Sequence, residues 1–286
     1  MSNARGQSSP ATKESEKRRE IADRIVKGLS DRTDLRATLL AGSVAQGTAD
    51  EHSDIDVLNY YTELPDQQTF DEVLREAGAE RIGDLGDPRP ESFAVRYRFD
   101  GIEVQTGGQL ISDLNRRLGR IETGDVDWIT AKVAMGLLEG SPLHGDELIR
   151  EWQSRARYPE ALRRREVETN LGWFPIWALD QHLASRDAEL FRRQMLLEGA
   201  FKVVAVLSAV NRLYFTTFQF KRAGEHVDQM EDKPDRLAAR LDRVANAPPS
   251  EAADELRTLV EETKAIVRRE LPEVDVDAPW QPLKDA

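Results

Sequence analysis

Between Leu39 and Tyr61 the chain reads LLAGSVAQGTADEHSDIDVLNYY, and this segment restricts the fold more than any other. The apolar run Leu35–Leu40 stops at Gly42, so it is expected to form a short buried strand ending in a turn. After a polar loop, Ile55–Tyr60 alternates as a second strand would. Asp54 and Asp56 stand two residues apart, and in a strand such residues share a face. Both carboxylates are then expected to project together, with Ile55 and Val57 turned to the buried side. Carboxylates held side by side repel at neutral pH unless a cation or a proton compensates. Mg²⁺ is the usual cation for carboxylate oxygens combined with substrate phosphates. Gly42-Ser43 matches that chemistry, because a glycine at a strand end lets the backbone come close to a phosphate and its turn offers N–H groups to an anion.

The flanking sequence places this segment in a mixed domain. Residues 14–31 carry Ile21, Ile25 and Leu29 at helical spacing on a charged stretch, and residues 67–77 suggest another helix. Residues 93–99 and 102–106 flank Asp100-Gly101, the pair that type I′ hairpin turns favour. Glu103 lies in that hairpin between Ile102 and Val104. Either it is a third metal-binding carboxylate, or it is one of the charged residues of an exposed face and pairs with Arg96 or Arg98.

From about residue 147 the pattern is helical almost throughout, punctuated by Pro159, Pro175, Pro234 and the run Ala247-Pro248-Pro249-Ser250. Residues 194–220 read as one long central helix and residues 251–270 as the last. The expected fold class is α+β. A disordered tail covers residues 1–13, a catalytic α/β domain with a mixed sheet covers 14–146, and a helical bundle covering substrate or nucleotide spans 147–286.

Composition narrows the function classes. The absence of cysteine removes disulfides, thiolate nucleophiles and Cys-ligated zinc together. With 52 acidic against 40 basic residues the formal net charge is −12, which repels phosphate backbones and makes long nucleic acid a poor partner. A cationic small molecule is attracted instead. No apolar run approaches the roughly 18 residues of a membrane span, and the polar N-terminus has no signal-peptide core, so a cytoplasmic protein is expected. The four histidines are scattered without metal-ligand spacing.

Gly42-Ser43, a spacer containing Gly47, and then Ser53-Asp54-Ile55-Asp56 together resemble the signature of the DNA polymerase β-like nucleotidyltransferase superfamily. Glu103 falls where that superfamily places its third acidic residue, usually Asp. Residues 137–146 (LLEGSPLHGD) resemble the turn that closes the catalytic domain in aminoglycoside-type and related bacterial members. Asn211, Tyr214 and Lys221 resemble an Asn-x-x-Tyr plus Lys pattern of some uncharacterised or antibiotic-modifying members. On that likeness their helix faces the nucleotide, and Lys221 or Lys202 holds its phosphates.

The resemblance implies two Mg²⁺ ions on Asp54, Asp56 and Glu103, and an NTP, ATP by expectation, seated on Gly42, Ser43 and Gly47. It implies transfer of AMP to a hydroxyl of a small acceptor, such as an aminoglycoside or lincosamide antibiotic, with release of pyrophosphate. Glu166, Glu168 and Glu198 stand as candidate bases. Each residue also has a plainer reading. Gly47 shapes its loop, Ser53 braces the Asp54 turn, Lys202 and Lys221 are ion-paired or solvated, Asn211 fixes helix packing and Tyr214 is core. Alternative functions are modification of a protein or a tRNA end, or a non-catalytic nucleotide-binding or antitoxin-like module.

Overall fold

The computed structural model describes residues 10–277, so most of the expected N-terminal tail and the end of the Pro-rich C-terminal segment lie outside the described residues. By its internal contacts the chain divides into two compact units. The first comprises the described residues up to Glu122 together with Lys132–Arg157. The second comprises Thr123–Ala131 and the residues from Tyr158 onward.

The first unit opens with helix α1 (Lys13–Arg32). Thr12 caps it, its hydroxyl accepting from the Ser15 amide and donating to the Ala49 carbonyl at 2.7 Å. Residues 12 and 13, read from the sequence as tail, therefore belong to the helix start. There follow β1 (Leu35–Ala41), the single-turn α2 (Gly42–Gln46), β2 (Ile55–Tyr61), α3 (Gln67–Glu76), β3 (Glu80–Asp84), β4 (Ser92–Phe99) and β5 (Ile102–Leu110). Then come α4 (Ile111–Glu122), α5 (Trp128–Glu139), β6 (Ser141–His144) and α6 (Asp146–Arg155).

The six strands form one mixed sheet in the order β3-β4-β5-β2-β1-β6. Only β2 and β5 run parallel, joined by the crossover through α3, β3 and β4, and the other neighbours are antiparallel. Asp100 and Gly101 both take positive φ, as a type I′ turn between β4 and β5 requires. One face of the sheet is sealed by α1 and α3, with Ile25, Leu29, Phe70, Ile55, Val57, Val95 and Val104 fully or almost fully buried. A buried polar chain crosses the sheet as well. Thr38 donates to Asn59 Oδ1 (2.9 Å), and Asn59 Nδ2 donates to Thr106 Oγ1 and to the Gly107 carbonyl (2.9 Å each).

The second unit contains α7 (Glu160–Asn170), α8 (Ile176–Gln181), α9 (Glu189–Val210), a 3₁₀ turn (Thr217–Arg222), α10 (Ala223–Asp228), α11 (Leu237–Asn246) and α12 (Pro249–Glu270). Helix α9 is its centre, with Val203, Val206 and Leu207 fully buried against residues of α11 and α12 such as Val244, Leu256 and Leu259.

The long helix expected over residues 194–220 is corrected at both ends. It starts five residues earlier at Glu189 and stops at Val210. Arg212 takes a left-handed conformation (φ 56°). The run Leu213-Tyr214-Phe215-Thr216-Thr217 that follows is aromatic and β-branched, which lowers helix propensity. Among the described residues no helix is long and apolar enough to cross a membrane.

Candidate active site

The site is assembled where β1 ends beside β2. Ala41 is the register partner of Asp56, so the chain leaves β1 next to that carboxylate. Gly42 turns into α2 with φ +66°, a conformation that side-chain-bearing residues adopt only at a cost. It also approaches closely: a Cβ at position 42 would lie 2.5 Å from Asp56 Oδ2. Glycine is therefore required twice over, and Gly42-Ser43 are brought directly against the carboxylate. Gly47 closes α2 as a left-handed cap (φ 76°) whose N–H bonds back into the turn, which is a shaping role.

The alternation of β2 works as its sequence implies. Ile55 and Val57 are fully buried, Asp56 is half-exposed on the other face, and Asp54, also half-exposed, immediately precedes the strand. Burial, then the neighbouring Asp54 charge, push the Asp56 carboxyl up to about 6, with Lys132 opposing. A carboxylate under that pressure favours a cation beside it.

Asp54 is held from β5, where Gln105, the register partner of Asp56, donates to Asp54 Oδ2 at 2.8 Å and more distantly to Glu103 Oε1 at 3.5 Å. Glu103 shares this face, and among the described residues neither Arg96 nor Arg98 pairs with it, Arg98 turning to Glu80 at 3.9 Å. Even so, among the described residues no three Asp, Glu, His or Cys side chains are gathered closely enough to hold an ion on their own. The residues present fit a cation bound by Asp54 and Asp56, with its remaining ligands drawn from elsewhere.

The loop before Asp54 is braced. Ser53 Oγ donates to Asp50 Oδ1 (2.8 Å) and accepts from the Asp50 amide (3.0 Å). From α1 the buried Arg18 donates to the carbonyls of Ser53 (2.8 Å) and Glu51 (3.1 Å) and pairs with Glu14.

The residues expected to meet the nucleotide from the second half of the chain belong to the second unit and do not share one helix. Lys202 is buried in α9, donating to the Gly172 carbonyl at 2.7 Å and paired with Glu198 at 3.3 Å. Tyr214, in the loop after α9, packs against Tyr158 with ring centroids 4.8 Å apart. Both line a cavity of about 350 Å³ that Phe201, Phe215 and Glu166 also border.

Asn211 terminates α9. Its Nδ2 donates to the carbonyls of Leu207 (2.7 Å) and Asp232 (2.9 Å), and its Oδ1 accepts from the amides of Glu231 (2.8 Å) and Asp232 (2.9 Å). Lys221 sits exposed on the 3₁₀ turn, its Nζ 5.1 Å from the centre of the Phe218 ring. Of the candidate bases, Glu168 pairs with Arg164 at 2.6 Å on the surface and Glu198 is taken up by Lys202.

No protein-family model matches the sequence, and no curated protein does. Solved structures do align with the chain. Its neighbours among them are nucleotidyltransferase-like proteins. One is a nucleotidyltransferase-like protein from Exiguobacterium sibiricum, at TM-score 0.39 and 13% identity over 91% of this chain and 81% of that one. Another is a cytoplasmic RNA terminal U-transferase, at TM-score 0.32 and 14% identity over 92% and 68%. A third is a spectinomycin adenyltransferase from Enterococcus faecialis, solved with ATP and spectinomycin, at TM-score 0.29 and 11% identity over 87% and 99%.

Three contributors to the site escaped the sequence reading. Gln105 was detectable, since it follows Glu103 by two residues and so shares its face. Arg18 carried no signal because it is one of many charged residues on α1, and Lys132, the only basic residue of the largely apolar α5, carried none because only the tertiary fold brings it near Asp56.

Proposed function

We propose that the chain is a nucleotidyltransferase that moves a nucleoside monophosphate from a Mg²⁺-bound NTP, ATP by preference, onto a hydroxyl of a small acceptor. One observation carries the reading: Asp56 on β2 lies against the backbone of the Gly42-Ser43 turn, with Asp54 immediately before the strand and near enough for its charge to act on Asp56. The triphosphate rests on the N–H groups of the Gly42-Ser43 turn, with the Ser43 hydroxyl as a further donor. Asp54 and Asp56 would hold the cation, which as Mg²⁺ would also favour substrate phosphate oxygens. Bound there, it would supply neutralisation of charge on the phosphates and on the departing pyrophosphate.

The acceptor oxygen forms a bond to the α-phosphorus, the bond from that phosphorus to the bridging oxygen breaks, and the hydroxyl proton passes to solvent or to a base. Gln105 keeps Asp54 in place through the step. Catalysis of this kind is positioning and charge stabilisation rather than covalent chemistry. Glu103 is the candidate for a third ligand. Lys202 and Tyr214, in the second unit, are candidates for nucleotide contact.

The test is incubation with Mg²⁺ and each NTP across a pooled panel of hydroxyl compounds, read by pyrophosphate release and by mass spectrometry. A product heavier than its acceptor by one NMP residue, absent with the Asp54→Ala/Asp56→Ala double variant, is the expected result. Protein that binds neither metal nor nucleotide contradicts the reading.

A further inference from the structure

All the residues lining the cavity of about 350 Å³ around Tyr214 belong to the second unit. Small side chains on α9 leave the space open: one and two turns after Phe201, the positions facing it are Ala205 and Ala209. Helix α7 presents Leu162, Glu166 and Asn170 to it at helical spacing. Residues 126–128 close another side, tied to α7 by Arg165, which donates to the Val126 carbonyl at 3.0 Å.

Five aromatic rings from four places in the chain meet here: Trp128, Tyr158, Phe201, Tyr214 and Phe215. Tyr158 and Tyr214 touch, with ring centroids 4.8 Å apart, and Phe201 and Phe215 do so at 5.2 Å. Trp128 is 58% exposed, so its indole is a face that a ligand in the cavity would cover.

The charged groups on the lining are Asp127, Glu166 and Lys202. Lys202 brings no uncompensated positive charge, because Glu198 lies 3.3 Å from its ammonium and the Gly172 carbonyl accepts from it at 2.7 Å. Asp127 accepts from the Thr130 amide at 2.8 Å at the start of α5. Glu166 gives one oxygen to Arg165 at 3.2 Å, and its other oxygen has no partner among the described residues. The Glu166 charge also acts on the aromatic wall: burial first, then Glu166 and Tyr214, push the Tyr158 phenol up, with Arg165 and Arg163 opposing. An aromatic lining with carboxylates and no uncommitted cation is a poor seat for a phosphate. It suits a positive charge, which the negative faces of aromatic rings attract most strongly where water is excluded, and quaternary ammonium groups are recognised in this way.

We propose that this cavity binds an organic cation with an apolar body, a quaternary or alkylated ammonium, ringed by the aromatic side chains with Glu166 as its counter-charge. The site so defined is independent of nucleotidyl transfer at Asp54 and Asp56, and Tyr214 within it meets a ligand other than the nucleotide.

The test titrates the full chain calorimetrically with three probes. They are choline, its neutral isostere 3,3-dimethylbutanol, and glucosamine, a cation with a hydroxylated body. Wild-type protein is expected to bind choline about tenfold or more tightly than either of the others. Tyr158→Phe keeps the ring and is expected to keep that affinity, whereas Tyr158→Leu is expected to weaken choline binding about fivefold or more. Glu166→Gln is expected to weaken choline to a similar extent and to leave the neutral alcohol unchanged. Glu166 is half-exposed, so this variant is expected to melt with the wild type, which separates lost binding from lost fold.

Equal affinities for choline and the alcohol overturn the proposal, as does glucosamine binding as tightly as choline. Choline affinity unchanged in both Tyr158→Leu and Glu166→Gln overturns it, and so does the absence of choline binding. Displacement of choline by Mg-ATP overturns it too, because the cavity would then belong to the nucleotide. Selective choline binding by a chain that binds no Mg-ATP supports the cation site and contradicts the nucleotidyl-transfer reading alone.

Discussion

At the scale of one residue, Asp56 is the group on which the proposed chemistry chiefly rests. It is pressed between burial and the charge of Asp54 until its carboxyl titrates near 6 instead of 3.8. In metal-free buffer the folded chain then holds that proton more tightly than the unfolded chain does. Stability from this group is accordingly lost as pH rises from about 4 to about 6. Asp56→Asn removes the penalty, and chemical denaturation at pH 7 without metal is expected to show a gain of about 2–3 kcal/mol. Added Mn²⁺ is expected to raise the melting temperature of the wild type and not that of the variant. An Asn variant less stable than wild type in metal-free buffer would contradict this account.

Gly42 is the second sensitive residue. Gly42→Ala forces a methyl group against Asp56 Oδ2 in a left-handed conformation. Urea titration should show a loss of about 1–3 kcal/mol, and a variant with wild-type stability would mean that the turn is not held as described. The carboxylate pair and the Gly-Ser turn were legible in the sequence because alternation and a strand-ending glycine are local signals. The clamp from Gln105 was only half legible, since strand pairing is not local.

At the scale of elements, the strands that alternate strongly and the Asp-Gly hairpin could be read directly. Helix α2 could not, being a five-residue turn too short to show a period. Nor could β6, four residues containing a proline, which forms a strand only because β1 offers it an edge. Helix α9 was misjudged at its end because the apolar content continues past Val210 while the backbone turns away.

Asn211 makes that stop. It ties the last turn of α9 to residues 231 and 232 through both ends of its amide. Asn211→Ala leaves two backbone amides and two carbonyls without these partners. A loss of about 2–4 kcal/mol is expected in denaturant titrations, with hydrogen exchange increasing first around residues 207–214 and 230–233. Exchange unchanged in those segments would show that the latch is dispensable.

Over the whole molecule, one buried titrating group in each unit gives stability an opposite dependence on pH. In the second unit His226 is buried, its Nε2 2.8 Å from Ser208 Oγ, and burial lowers its pKa to about 4. The folded chain therefore resists a proton that the unfolded chain accepts below about 6.5. This contribution is fully present above pH 6.5 and is lost as pH falls toward 4, by about 3 kcal/mol. His226→Gln is expected to flatten the acid limb of the stability curve, and an acid limb unchanged by the substitution would refute it. The division into an α/β part and a helical part was legible from the change of hydrophobic period. The return of residues 123–131 to the second unit was not, because contacts rather than chain order decide it.

The central claim is that Asp54 and Asp56 direct attack on the α-phosphorus of an NTP. It is tested most directly by following label from ATP carrying ³²P at either the α or the γ position, with Mg²⁺ and whichever acceptor scores in the panel. The account predicts that α-label appears on the acceptor, that γ-label appears only in pyrophosphate, and that the Asp54→Ala/Asp56→Ala variant transfers neither. Transfer of γ-label to the acceptor, or transfer of α-label that persists in the double variant, would contradict it.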